Sequence, residues 1–284
     1  MLLDKNKVRR FSPHVFHSLR PHPFDLHAYS RMKFGSDQDA RLLGHELADL
    51  FMAEHYRTLV DQRCLVIPAP STSVPVAATL MGWHFHNRLN GILDRAGCQP
   101  VEWDLVHRAI TYNDNYAQLG IAERRKLLED DERYMNTAFA EGKTLIFVDD
   151  VRVTGTHEEK MIQMVERLGL PNEMIFCTYA EYHGDSPGIE HELNHTFVTN
   201  ARVVAQMAQE PDWRVTTRAL RIILETPEEE FGALLAAFSH KDVEKIYHAS
   251  IVKAYNQHEP YARNFASLRE MMDRLEVGGG PAAG

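Results

Sequence analysis

Cysteine is scarce. Cys64, Cys98 and Cys177 are the only three in 284 residues, too few and too scattered for a disulfide framework or a zinc site. Long apolar runs are missing: no stretch approaches the roughly 18–20 consecutive apolar residues that a membrane-spanning helix requires. The opening Met-Leu-Leu-Asp-Lys-Asn-Lys-Val-Arg-Arg holds no apolar core of the length a secretory signal needs. An excess of positive charge is missing too. The formal net charge is −9, which argues against broad nucleic-acid binding, since that relies on a positive surface. Among sixteen histidines, His84 and His86 lie two apart and His191 and His195 four apart. No carboxylate or cysteine completes either pair as a metal site, so core or surface roles are expected for them. What remains is an ordinary globular composition, 44% hydrophobic and 25% charged. Cytoplasmic residence without a membrane partner is the expectation.

Residues 1–28 read as irregular, broken by Pro13, Pro21 and Pro23. A helical period begins after Ser36 or Asp37, with Leu42, Leu43, Leu47, Leu50 and Phe51 at spacings of three and four. Cys64–Ile67 reads as a short buried strand stopped by Pro68-Ala69-Pro70-Ser71, followed by a helix carrying Val76, Ala77, Leu80 and Met81 on one face. Trp103–Val106 is a weaker strand signal, and residues 111–136 are polar with a helix expected at Ala122–Leu128. Thr144–Val148 is the clearest strand, a continuous apolar and β-branched run of the kind buried on both faces in a parallel sheet. A helix from His157 to Leu168 and a strand from Met174 to Tyr179 complete a βαβ unit. Beyond residue 200 the pattern is helical, over 200–209, 214–225, 228–238, 241–255 and 261–275. The fold class is therefore α/β, a parallel sheet flanked by helices, with a helical C-terminal extension. The expected organisation is an N-terminal segment 1–28, a core 29–200, an extension 201–277 and a disordered tail 278–284.

The end of the strong strand carries the chemistry. In an open parallel sheet, ligands bind beyond the carboxyl ends of the strands. Asp149 and Asp150 are expected there side by side, followed by a short turn with Thr154, Gly155 and Thr156 that opens a helix. Adjacent carboxylates suit the vicinal hydroxyls of a ribose, which donate protons to anionic acceptors. Backbone N–H groups at a helix start, with threonine hydroxyls beside them, suit a phosphate. Gly155 lets the backbone approach closely. A solvated acidic turn with a Thr-capped helix is the bland alternative; strand, Asp-Asp, three residues, Thr-Gly-Thr and helix in that order make a much rarer combination.

The segment Asp149-Asp150-Val151-Arg152-Val153-Thr154-Gly155-Thr156-His157 resembles the 5-phosphoribosyl-1-pyrophosphate (PRPP) motif of type I phosphoribosyltransferases, Asp-Asp-x-x-Thr-Thr-Gly-x-Thr/Ser. Val153 stands for the first threonine and His157 for the last hydroxyl residue. Upstream, Tyr29–Gly35 is similar to the Lys-Phe/Tyr-x-Gly opening of ComF-like phosphoribosyltransferases, through Lys33, Phe34 and Gly35. Tyr116–Arg125 is similar to their Gln-x-x-Leu-x-x-x-Glu-Arg segment. The resemblance spans roughly residues 29–180.

It implies a magnesium-dependent enzyme that transfers ribose 5-phosphate from PRPP to a nitrogenous base or related small acceptor, releasing pyrophosphate. Asp149 and Asp150 would hold the ribose hydroxyls, directly or through Mg2+. Arg152, Val153, Thr154, Gly155, Thr156 and His157 would form the 5-phosphate loop. Pro70, Ser71, Thr72 and Ser73 would form the pyrophosphate loop, with Lys33 contributing; otherwise Ser73 caps the helix that follows, with Pro75 just inside it. Arg124, Arg125 and Lys126 would neutralise the departing pyrophosphate, or else pair with Glu123, Glu129 and Asp130 on a solvated face. Homodimers are common in such families. The rival expectations are a non-catalytic regulator that binds PRPP or a nucleotide, and a protein whose C-terminal helices bind a partner.

Overall fold

A computed structural model describes residues 7–108, 133–186 and 188–278. Its strands are β1 (Val8–Phe11), β2 (His14–Phe16), β3 (Cys64–Pro68), β4 (Glu102–Trp103), β5 (His107–Arg108), β6 (Arg133–Tyr134), β7 (Thr144–Arg152) and β8 (Met174–Tyr182). The helices of the first part are α1 (Leu26–Lys33), α2 (Asp37–Asp61), α3 (Ala77–Arg95), α4 (Thr137–Ala140), α5 (Thr156–Arg167) and α6 (Ile189–Asn194). Those of the second are α7 (Ala201–Met207), α8 (Thr217–Leu224), α9 (Glu228–Leu235), α10 (His240–Val252) and α11 (Tyr261–Gly278).

The main sheet runs β1-β8-β7-β3-β4, every pairing parallel, with β2 continuing β1 along the same edge of β8. Strand residues alternate between faces, and the apolar runs obey that period. Val66, Ile146, Val148, Ile175 and Cys177 join the core made with α2 and α3. Leu65, Ile67, Leu145, Phe147, Met174 and Phe176 join a second core with Met161, Met164 and Val165 of α5. Burial on both faces is why these strands read as unbroken hydrophobic segments. Ser36 caps α2 as the sequence suggests, its side chain accepting from the Asp39 N–H.

Three expectations need correcting. Residues 1–28 are not irregular throughout: β1 and β2 form a sheet edge, divided at Ser12-Pro13 because proline has no N–H for the ladder. The strand expected at Trp103–Val106 is Glu102–Trp103. Ser73 is not the cap of α3, which starts at Ala77 with no side-chain cap bond.

The C-terminal helices bury their own core, yet that core includes Phe34 and Val74 from the sheet half. Hydrogen bonds to backbone carbonyls fix the junction. The Trp213 indole and the Thr216 hydroxyl donate to the carbonyls of Phe34 (2.9 Å) and Lys33 (3.0 Å). The Arg214 N–H donates to Gly35 and the Thr217 N–H to Pro75. One short stretch before α8 thus holds both the α1–α2 turn and the segment leading into α3.

Candidate active site

β3 and β7 part company at Pro68 and Val148, their last paired residues. Among the described residues β7 continues with β8 alone, through Arg152 opposite Glu181. The side that β3 abandons opens into a cleft of about 480 Å³ lined by Pro68–Pro70, Val148–His157, Lys33, Thr178 and Glu190. Asp149 and Asp150 are therefore inside the strand, not beyond it as the sequence suggests. Aspartate disfavours strands in general, but the β8 ladder carries these two.

Strand geometry then separates them. Asp149 follows Phe147 toward α5 and Asp150 follows Val148 toward α1. Asp149 Oδ2 meets Nδ1 of His157 on α5 at 2.6 Å, and its Oδ1 accepts from the Asp150 N–H at 2.8 Å. Asp150 Oδ2 meets Nζ of Lys33 on α1 at 2.5 Å, and its Oδ1 accepts from the Val151 N–H at 2.7 Å. All four carboxylate oxygens have partners. With Asp149 ionised, Nδ1 of His157 carries the proton between them.

The two acids titrate apart. Burial disfavours the charge of Asp149, but the charge and hydrogen bond of His157, the Asp150 N–H and Lys33 outweigh it, so its pKa lies below the usual carboxylate value. For Asp150, burial together with the neighbouring Asp149 charge overcomes Lys33 and the Val151 N–H, and its pKa is raised. Of the two carboxyl groups, Asp150 is the one that takes a proton first as pH falls.

The turn after β7 is fixed from behind. Arg152 donates to Glu158 (3.0 Å) and Glu181 (2.6 Å), while Arg10 binds the other oxygen of Glu158. Its guanidinium is thus committed to the loop's scaffold; Arg152 and Val153 line the cleft. Gly155 caps α5 in the left-handed region at φ +77°, with no side-chain cap bond. Thr154 and Thr156 pair their hydroxyls at 2.9 Å. The loop thus brings two hydroxyls and the N-terminal end of α5 to the cleft, the arrangement that suits an anion. A Cβ on Gly155 would stand 2.8 Å from Nη2 of Arg152, whose guanidinium is held by Glu158 and Glu181. Gly155→Ala should then cost more than its left-handed backbone alone, which is about 1–2 kcal/mol, measured as a shift of the urea midpoint at unchanged slope.

Of the expected pyrophosphate loop, Pro70 lines this cleft. Ser71 bridges to His107, Thr72 accepts from the Val74 N–H, and Ser73 lines a different cavity. Lys33 is in the cleft, on Asp150. The expected Ala122–Leu128 helix, Arg124, Arg125, Lys126 and the tail from residue 279 lie outside the described residues. His84 approaches Asp37 at 3.2 Å, and the His86 ring meets the Val101 carbonyl at 2.8 Å. Sequence reading missed Thr178 and Glu190, which reach the cleft from β8 and α6. No local signal marks them, because their relevance comes only from standing beside β7.

As a donor set, Asp149 and Asp150 offer hard oxygen, suited to a cation such as Mg2+ that keeps water and takes its remaining ligands from substrate oxygens. Among the described residues no cluster of three or more His, Cys, Asp or Glu could cage a metal alone. No helix among them is long and apolar enough to cross a membrane.

A family model described as PRTase ComF-like matches residues 8–268, running through both the sheet and the C-terminal helices. No match was found among curated proteins.

Proposed function

The chain belongs to the ComF-like phosphoribosyltransferase family, and from that premise we propose that it binds PRPP with Mg2+ and transfers ribose 5-phosphate to a nitrogenous base or related acceptor. The observation that carries this reading is the meeting of Asp149, Asp150 and the Thr154–Thr156 turn in one cleft at the point where β3 leaves β7.

In this proposal the 5-phosphate lies against the Thr154 and Thr156 hydroxyls and the start of α5, with Gly155 allowing close approach. Asp149 and Asp150 accept hydrogen bonds from the ribose hydroxyls, and Lys33 stays beside Asp150 to keep that carboxylate charged. His157 holds the Asp149 carboxylate in place. Pro70, Ser71 and Thr72, with the cations Arg124, Arg125 and Lys126, are assigned to pyrophosphate; Ser73 lines the other cavity and is left out. Bound Mg2+ would be held at Asp149 and Asp150 and would supply charge neutralisation for the pyrophosphate oxygens. The chain's own contribution is positioning and charge stabilisation at the anomeric carbon; no nucleophilic side chain is needed.

One observation favours a second reading, a regulator that binds PRPP or a nucleotide without transfer. Both carboxylates already have internal cationic or imidazole partners, as a site kept for binding alone would tolerate.

Calorimetric titration of the full chain with PRPP and Mg2+ tests the proposal. Saturable, magnesium-dependent binding is expected, with loss of it in Asp149→Asn/Asp150→Asn. Ligand at about 100 times its dissociation constant should stabilise the fold by roughly 2.7 kcal/mol. No heat and no thermal shift at millimolar PRPP would remove the ligand assignment. Pyrophosphate release on adding candidate bases then separates transferase from regulator.

A further inference from the structure

The chain has three tryptophans, and all of them line one cavity. Trp83, Trp103 and Trp213 face a space of about 790 Å³ between α3 and β4 on one side and α10 on the other. It shares no lining residue with the Asp149–Asp150 cleft.

Trp83 is 51% exposed, and its ring meets that of Trp103 edge to face with centroids 5.7 Å apart. Single exposed apolar residues are ordinary on a protein surface. A half-exposed indole braced by a second one in a concavity is a stacking platform, rigid and apolar on its open face.

Charge in the cavity is selectively paired. Lys245 is bonded to Asp242 at 2.7 Å. The acids that line the wall, Asp37 and Glu244, approach His84 at 3.2 Å and His248 at 3.7 Å. Arg214 and Lys241 also line it, both exposed, and neither has an ion-pair partner among the described residues.

We propose that this cavity is a second ligand site, taking a small planar aromatic ring that carries an anionic group. The ring stacks on Trp83, and the anion lies at Arg214 and Lys241. Neither half of such a molecule is sufficient, because the platform recognises shape and the cations recognise charge.

A nucleotide and an aromatic carboxylate share this chemistry, so the full chain would be titrated with AMP and with naphthalene-2-carboxylate by calorimetry. Quenching of tryptophan emission would be followed for AMP. Saturable binding of at least one is expected. If it is AMP, adenosine and ribose 5-phosphate should each bind at this site at least about ten-fold more weakly, as for loss of a charge-assisted contact or of the stack. Binding should survive Asp149→Asn/Asp150→Asn and be lost in Trp83→Ala/Lys241→Ala, whose exposed positions leave the melting temperature near that of the wild type. No saturable binding of either probe at millimolar concentration would overturn the proposal. So would binding that is lost in the Asp149/Asp150 variant but untouched by Trp83→Ala/Lys241→Ala, since that would put the ligand in the cleft. The comparison is independent of PRPP, so failure here leaves the phosphoribosyl reading standing, and the reverse holds.

Discussion

Gly35→Ala should lower the unfolding free energy by more than about 4 kcal/mol, a loss in the exceptional range for one substitution. Gly35 has φ +106°, where side chains are strained. A Cβ there would stand 2.0 Å from the Arg214 carbonyl oxygen and 2.8 Å from Nε1 of Trp213. The first obstacle is backbone, so no rotamer relieves it. The Trp213–Phe34 and Arg214–Gly35 bonds would have to break, leaving a buried indole N–H without its acceptor. Urea unfolding measures the loss, and a red shift of tryptophan emission reports release of Trp213. Gly97→Ala is the control: Gly97 has φ +70° and nothing within 4 Å of the added carbon. Its cost should be that of a left-handed residue, about 1–2 kcal/mol. Equal losses at the two positions would mean that the junction before α8 does not constrain the α1–α2 turn.

Lys33→Met should cost about 3–5 kcal/mol at neutral pH, the usual result of removing one member of a buried ion pair. Lys33 and Asp150 are 9% and 5% exposed, and no other cation contacts the Asp150 carboxylate in the described structure. The loss should depend on pH in a definite direction. Asp150 already has a raised pKa, through burial and the Asp149 charge, and the Lys33 charge works against that rise. Without Lys33 the folded-state pKa climbs further above the unfolded value. A carboxyl shifted this way binds its proton more tightly in the folded state. The deficit is therefore complete above the folded pKa and fades as pH falls toward the unfolded pKa. Asp149 works oppositely in the wild type, since its lowered pKa gives stability above the unfolded carboxylate pKa that is lost as pH falls through the folded one. Urea titrations at pH 7.5 and at pH 5 separate the two, and Lys33→Met/Asp150→Asn should recover part of the loss at neutral pH. A deficit independent of pH would mean that Lys33 acts by packing and not by its charge on Asp150.

The same contrast between local and distant contacts explains what could be read in advance. β7, α5 and the glycine between them are written in one continuous stretch. The apolar run needs burial on two faces, and the Thr-Gly-Thr turn sets a helix start, so period and turn chemistry suffice. The C-terminal helices were legible for the same reason, with α7 to α11 falling inside or within a few residues of the expected segments. β1 and β2 were not. They are four and three residues long, and their partner β8 lies more than 150 positions along the chain. β7 runs further than its local pattern suggests, because Asp149 and Asp150 look like a strand's end, whereas the ladder to β8 continues past them.

Local pattern is enough for the parallel core, the acidic pair, the phosphate-type turn and the family resemblance, because each rests on neighbours within about a dozen residues whose periodicity and turn preferences are local. What those residues face depends on packing between distant parts of the chain. Lys33 reaches Asp150 across 117 positions, Trp213 reaches Phe34 across 179, and three tryptophans scattered along the chain line a single cavity. Such meetings depend on where packing returns the chain to itself, and no local propensity records that.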